Sequence, residues 1–144
     1  MKYISTIIIS LLLLAGTYQN SNAQCNDYAK NVCKELLKPY FHDGNYNVAI
    51  LSEGEKAELY KTFYTGQEYR IAICAQEPLI GVEFVVKNED GKFLYSNKQD
   101  NYSATWDFKI DGTQQMIISL KVLEDNNKKV KNKGCVAIMF GLKD

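Results

Sequence analysis

The chain has a single histidine, and its basic and acidic residues balance at 17 each among 144 residues. One histidine excludes a histidine-rich metal site and leaves only His42 for histidine-dependent nucleophilic catalysis. The balanced charge excludes a basic nucleic-acid-binding module. Hydrophobic residues make up 46% of the chain, which excludes a disordered protein. A chain of this length has room for one compact domain.

Long hydrophobic runs are also scarce, because only the N-terminus has one. Ile7–Ala15 is nearly unbroken aliphatic sequence after Lys2, and small residues at Ser21 and Ala23 suit a signal-peptidase site. The run falls short of the ~20 residues that a membrane-spanning helix needs. We therefore expect residues 1–23 to be a signal peptide cleaved after Ala23, and the mature protein to be secreted or periplasmic with no membrane span. An uncleaved anchor and a lipoprotein are the alternatives.

Closely spaced cysteine pairs are missing, which argues against a zinc site. An even number of cysteines in an exported chain instead predicts two disulfides, formed among Cys25, Cys33, Cys74 and Cys135. If a continuous helix holds the first two, they lie about 12 Å apart, too far to bridge, and must pair with the other two. If the helix begins late, near Lys30, the pairs are Cys25–Cys33 and Cys74–Cys135. Both schemes stay open.

The segment after the predicted signal peptide has apolar residues at helical spacing, which predicts a helix over about 26–38 that ends at Pro39. Beyond residue 44 the apolar period changes to two, with turn signals roughly every 8–12 residues. This pattern predicts one domain over 24–144, an antiparallel, jelly-roll-like β-sandwich of seven or eight strands. Cys74 and Cys135 fall on the outward register of their strands, so we expect the helix to cover that outer face.

Candidate catalytic groups are few, and no catalytic residue, metal ligand or cofactor is predicted. His42 reads as a surface loop residue, and no serine lies in a nucleophile-elbow context. The segment 43–47 is similar to the start of a calcium loop but lacks the required glycine and glutamate. Paired carboxylates could support glycoside hydrolysis, although no spacing brings two of the candidates together. The candidates are Glu53, Glu55, Asp107 and Asp111.

Tyrosines are the most suggestive binding residues. Tyr60 and Tyr64 share the solvent-facing register of one predicted strand, and Tyr95 and Tyr102 flank a turn. Tyrosines on a sheet face could stack on sugar rings or anchor a protein partner. The alternative is that they cover sheet surface or pack under the helix.

Six short segments of the mature chain form a recognisable pattern. They are Leu51–Leu59, Thr65–Arg70, Cys74, Trp106–Phe108, Thr113–Gln115 and Gly134–Val136. On these segments the chain resembles a family of small secreted bacterial proteins with a signal peptide and one β-rich domain. The general layout is also similar to pre-peptidase C-terminal-type and GOLD-type β-sandwiches. The resemblance spans nearly the whole mature chain and implies no activity.

The leading hypothesis from the sequence is an exported, non-catalytic binding or accessory module at the cell envelope, with an unknown protein or glycan partner. One alternative is a carboxylate-based hydrolase that acts on extracellular glycan. Another is a purely structural component of the envelope.

Overall fold

The computed structural model describes residues 21–143. Most of the predicted signal peptide lies outside the described residues, so cleavage after Ala23 stays a prediction. Helix α1 covers Ser21–Asn31, and a 3-10 helix follows at Cys33–Leu37. None of the helices between residues 21 and 143 is long and apolar enough to cross a bilayer.

The one helix predicted over about 26–38 is therefore two segments that begin earlier. The break is at Val32, a β-branched residue whose φ of −115° lies outside the helical range. The second segment ends where Lys38 becomes extended, as expected for a residue that precedes proline.

Nine strands lie in the described part of the chain. They are β1 (Phe41–His42), β2 (Asn47–Ser52), β3 (Lys56–Phe63), β4 (Glu68–Ala75), β5 (Val82–Asn88), β6 (Phe93–Ser96), β7 (Thr105–Lys109), β8 (Gln114–Val122) and β9 (Lys133–Lys143). A second 3-10 helix, Asn97–Asp100, joins β6 to β7.

The strands form two antiparallel sheets. One has the order β2-β9-β4-β7, with β1 also paired to β9, and the other has the order β3-β8-β5-β6. We call the first the covered sheet and the second the open sheet. Every connection between consecutive strands from β2 to β9 crosses between the sheets except β5 to β6, which gives the double Greek key of a jelly roll. The predicted β-sandwich is confirmed.

The core lies between the two sheets and closes on one side with stacked rings. Tyr95 of β6 stacks on Trp106 of β7 with ring centroids 4.8 Å apart, and Trp106 stacks on Phe108 at 4.4 Å. Fully buried side chains fill the centre, among them Phe63, Phe84, Ile71, Ile118, Val86 and Phe140.

The helical segments pack on the outer face of the covered sheet. Cys33 and Leu37 contact a cluster that includes Ala72 and Ala137, whose small side chains permit close approach. Gly141 permits it as well, because a Cβ there would lie 2.6 Å from the Cβ of Tyr40. This confirms the prediction that the helix covers the face to which the cysteines of β4 and β9 point.

Two disulfides attach the helical segments to this sheet. Cys25 pairs with Cys135 and Cys33 pairs with Cys74, with Cα–Cα distances of 5.3 and 6.0 Å. Of the two schemes that the sequence allowed, the one that links the helix to the strands is correct. The other failed because α1 begins well before Lys30 and holds Cys25 and Cys33 apart.

Candidate functional site

The four candidate carboxylates do not form a catalytic pair. Glu53 is buried and accepts a 2.8 Å hydrogen bond from Asn132 Nδ2, while Glu55 accepts one from the Ser52 N–H at 2.7 Å. Asp111 follows β7 at the end of the sandwich opposite the β2–β3 turn. The two ends are about 26 Å apart, which is the length of an eight-residue strand such as β3. The acids of the β2–β3 turn are therefore structural groups that cannot reach Asp111.

Asp107 is ion-paired. The guanidinium of Arg70 donates to both of its oxygens at 2.6 and 2.7 Å, and this lowers the pKa of Asp107. Arg70 also donates to the backbone oxygens of Leu36 and Lys38 and lies over the ring of Tyr40. A carboxylate with a lowered pKa is a poor proton donor at neutral pH. The Arg70–Asp107 pair instead holds the 3-10 segment against the covered sheet.

The calcium-like segment is engaged by its own neighbours. Burial of Asp43 would raise its pKa, but hydrogen bonds from Lys61 Nζ (2.8 Å) and the Asn45 N–H (2.9 Å) outweigh burial and lower it. Residues 21–143 hold no group of three or more histidine, cysteine, aspartate or glutamate side chains suited to a metal ion.

His42 lies in strand β1 and not in a surface loop. Its side chain is 8% exposed, because the ring packs on Tyr46 and Nε2 lies 3.0 Å from the Asn45 backbone oxygen. The sequence suggested a loop because a two-residue strand is too short to show alternation.

The four candidate tyrosines do not come together. Tyr95 is half-buried in the core, and its hydroxyl donates to Asp100 at 2.8 Å. Burial, and then this bond, raise the pKa of Tyr95 to about 12. Tyr102 is exposed in the loop after the second 3-10 helix, with a positive φ of 56°. Tyr64 is exposed just beyond β3, and Tyr60 lies on the outward register of β3.

Tyr60 belongs to a row of residues that crosses the outer face of the open sheet. In the strand register it lies opposite Ile117 of β8, Ile117 lies opposite Lys87 of β5, and Lys87 lies opposite Phe93 of β6. The Lys87 ammonium lies over the Phe93 ring, 4.6 Å from its centroid. We call these four residues the aromatic row.

The two ends of the aromatic row are accessible. Tyr60 is 56% exposed and Phe93 is 66% exposed, at opposite edges of the sheet. Three strand spacings separate them, or roughly 14 Å. The next row of the same face contains Glu58, whose carboxylate accepts a hydrogen bond from Ser119 at 2.9 Å. The face therefore combines exposed aromatic anchors with polar neighbours.

A groove opens on the side of the sandwich opposite the stacked rings, between strands β2 and β3. Its volume is about 490 Å³, and its lining is both aliphatic and polar. The polar part consists of Asn22 and Asn26 of α1, of which the predicted cleavage after Ala23 would remove Asn22, together with Tyr46, Asn47 and Glu58. We call this the edge groove. Its aliphatic lining consists of Val48, Ala49, Leu51, Ala57, Leu59, Leu120, Val136 and Ile138.

Phe93 and Ile117 were not among the candidates from the sequence. Alternation assigns Phe93 and Tyr95 to the same face, but the register shifts between Val86 and Lys87. This bulge places Tyr95 opposite Val86, inside the core, and Phe93 opposite Lys87, on the outer face. The hairpin signal at Gly91 located the turn but could not indicate the bulge.

The chain matches no protein-family model, and a search of curated proteins found no match. The pre-peptidase C-terminal-type or GOLD-type layout therefore stays a prediction. A solved structure, from Aeromonas hydrophila, is of PliG, described as a periplasmic lysozyme inhibitor of g-type lysozyme. It is similar to this chain with a TM-score of 0.50 and 9% sequence identity, over 74% of this chain and 90% of that one. At this identity the likeness shows a shared fold alone, so this chain has a fold similar to that of a small β-rich periplasmic inhibitor.

Proposed function

We propose that this chain is an exported, non-catalytic module that binds a protein partner through the outer face of the open sheet. The observation that supports the proposal is the aromatic row, which places Tyr60 and Phe93 at accessible positions on a rigid sheet. Tyrosine and other aromatic residues are enriched at protein interfaces, where a few of them supply most of the binding free energy.

The charges beside the row favour a protein over a strongly charged ligand. Lys87 lies in the row itself, Glu58 in the next outward row, and Lys56, Lys121 and Glu83 in the one beyond it, so both signs are present on the face. Such a mixture matches the polar rim of a protein interface, and it gives no long-range attraction for a polyanion. The face measures roughly 14 by 26 Å, or about 360 Å², so a partner that covers it alone would form a small interface of the weak, transient class.

The fold likeness to PliG suggests the class of partner to test first. PliG is an inhibitor of g-type lysozyme, so a protein of this fold acts by binding another protein. We therefore propose a protein partner for this chain and choose g-type lysozyme as the first purified protein for titration. A soluble peptidoglycan fragment is the matched probe for a glycan partner.

Site-specific photocrosslinking in the native cell envelope tests the proposal and captures the partner in the same step. A photoreactive amino acid replaces Tyr60 or Phe93, and Val130 is the control because it is 79% exposed on a loop away from the row. We expect one protein adduct at both positions of the row and none at Val130. The adducted protein, identified by mass spectrometry, is then purified for titration.

Titration of that protein gives the energetic test. We expect Tyr60→Ala and Phe93→Ala each to weaken binding at least tenfold, as for interface anchors. Tyr102→Ala, an exposed tyrosine outside the row, is the control and should leave the affinity unchanged. Crosslinks at neither position would overturn the proposal, and so would binding of peptidoglycan fragments that is lost in Tyr60→Ala and Phe93→Ala.

A further inference from the structure

Strands β2 and β3 follow each other in the chain but lie in different sheets. β2 pairs with β9 of the covered sheet and β3 pairs with β8 of the open sheet, although only three residues connect the two strands. Within the described residues, each of the two strands has one paired edge, so each ends its sheet on this side. An edge strand presents a row of backbone N–H and C=O groups that can pair with another chain.

The edge groove lies between these two edges. Ala57 and Leu59 of β3 point inward and line it, and Glu58 lines its rim. Tyr60 points outward and is not part of the lining. Lys61 is also turned inward, where Asp43 binds it and its ammonium lies 4.5 Å from the centroid of the Phe140 ring. This ion pair closes the groove toward the end of β3 and leaves residues 56–60 as the open part of the edge.

We infer that the partner adds an extended segment to the edge of β3, with alternate apolar side chains in the edge groove. The inference rests on the proposed function and specifies how the same partner binds. A segment opposite residues 56–60 would be about five residues, or roughly 17 Å, long. Its outward side chains would lie beside Tyr60, so the added strand would continue the aromatic row.

The chemistry of the groove favours a polypeptide over a hydrocarbon chain. Both would fit the apolar part of the lining, but a hydrocarbon would cover the backbone N–H and C=O groups of the β3 edge without pairing them, which is unfavourable for each group that becomes buried. A peptide strand pairs these groups through main-chain hydrogen bonds and uses the groove for alternate side chains. The continuity of the β3 edge with Tyr60 supports the same occupant.

Adjacent residues of β3 provide the test, because Leu59 points into the groove and Tyr60 points to the outer face. A photoreactive aliphatic amino acid replaces each in turn in the exported protein, with Val130 as the control. Strand addition predicts the same protein adduct from positions 59 and 60, each at least tenfold above the control. An adduct from position 60 alone would overturn strand addition and leave the proposed function intact, whereas adducts from neither would overturn both.

A second variant tests the groove without adding a charge to the core. Ala57→Leu fills part of the groove with apolar volume, and it is combined with the photoreactive residue at position 60. We expect the adduct yield to fall at least tenfold while the melting temperature stays the same or rises. An unchanged yield would contradict strand addition. The matched control is Ala104→Leu, at an exposed alanine outside the groove, and it should leave the yield within twofold.

Discussion

At the scale of single residues, buried polar groups organise the connections of the sandwich. Asn97 is 1% exposed, and its amide accepts a hydrogen bond from the Phe84 N–H at 2.8 Å and donates to the Val82 oxygen at 2.9 Å. It also donates to the Ser103 oxygen. The Asn97 side chain thus supplies hydrogen-bond partners for the part of β5 that extends past the end of β6.

Asn97→Ala should destabilise the protein by about 2–4 kcal/mol, because it leaves the Phe84 N–H and the Val82 oxygen buried and unpaired. Urea denaturation measures the change as a lower midpoint with an unchanged slope. Asn126→Ala, in the exposed β8–β9 loop, is the control and should change stability by less than about 0.5 kcal/mol. A loss of that small size at Asn97 would show that its hydrogen bonds contribute little.

Two tyrosines have a raised pKa in the folded protein. Burial, followed by the hydrogen bond to Glu68, raises the pKa of Tyr40 from 10.0 to about 12, and Tyr95 behaves likewise beside Asp100. Because the folded-state pKa is above the unfolded one, the stabilisation is complete below about pH 10 and is lost as pH rises toward 12.

We therefore expect Tyr40→Phe to flatten the alkaline fall of the unfolding free energy, and Tyr40→Phe/Tyr95→Phe to flatten it further. Denaturation at a series of alkaline pH values measures this slope, and tyrosinate absorbance follows ionisation in the folded protein. Tyr40 and Tyr95 ionising near pH 10 in the folded state would contradict the prediction.

At the scale of elements, the alternation of apolar and polar side chains correctly predicted which face of a strand is buried. The length of the apolar pattern over 26–38 was less informative, because it predicted one helix where there are two segments. The period-two pattern of residues 57–64 correctly separated the core-facing Phe63 from the outward Tyr60, since a pleated strand has fixed alternation. The same rule placed Cys74 and Cys135 on the outer face. These predictions held because they depend only on local backbone geometry.

Features that depend on contacts across strands could not be predicted. The bulge at Val86/Lys87 places Phe93 and Tyr95 on opposite faces of the sheet, and no local sequence signal specifies this bulge. The aromatic row likewise exists only because β3, β8, β5 and β6 adopt one particular register. The candidate site was therefore predicted for Tyr60 alone, and its other members became visible only in the assembled sheet.

Packing of the helical segments on the covered sheet depends on Gly141. Gly141→Ala places a Cβ against Tyr40 and Leu37, so we expect a loss of about 1–3 kcal/mol. Gly112→Ala is the control, since nothing lies within 4 Å of its added Cβ and its φ is not positive. Thermal denaturation compares the two variants. Equal melting temperatures would show that the 3-10 segment shifts freely to accommodate the methyl group.

At the scale of the whole molecule, the two disulfides close loops of different size. The cysteines are 110 residues apart in one and 41 in the other. A longer closed loop restricts the unfolded chain more, so we expect a loss of about 5 kcal/mol for Cys25→Ala/Cys135→Ala and about 4 kcal/mol for Cys33→Ala/Cys74→Ala. Chemical denaturation under oxidising conditions measures the order, and the reverse order would contradict the loop-length argument.

The Cys25–Cys135 bond also determines how the molecule responds to tension. A pulling force applied to the chain before residue 25 and after residue 135 passes through the two sulfur atoms and bypasses the 109 residues between them. Residues 26–134 are then not stretched, whereas residues 136–143 of β9 lie outside the bond and bear the load through their pairing with β2 and β4. All four strands of the open sheet lie between the two cysteines, so tension along the chain does not act on the aromatic row directly.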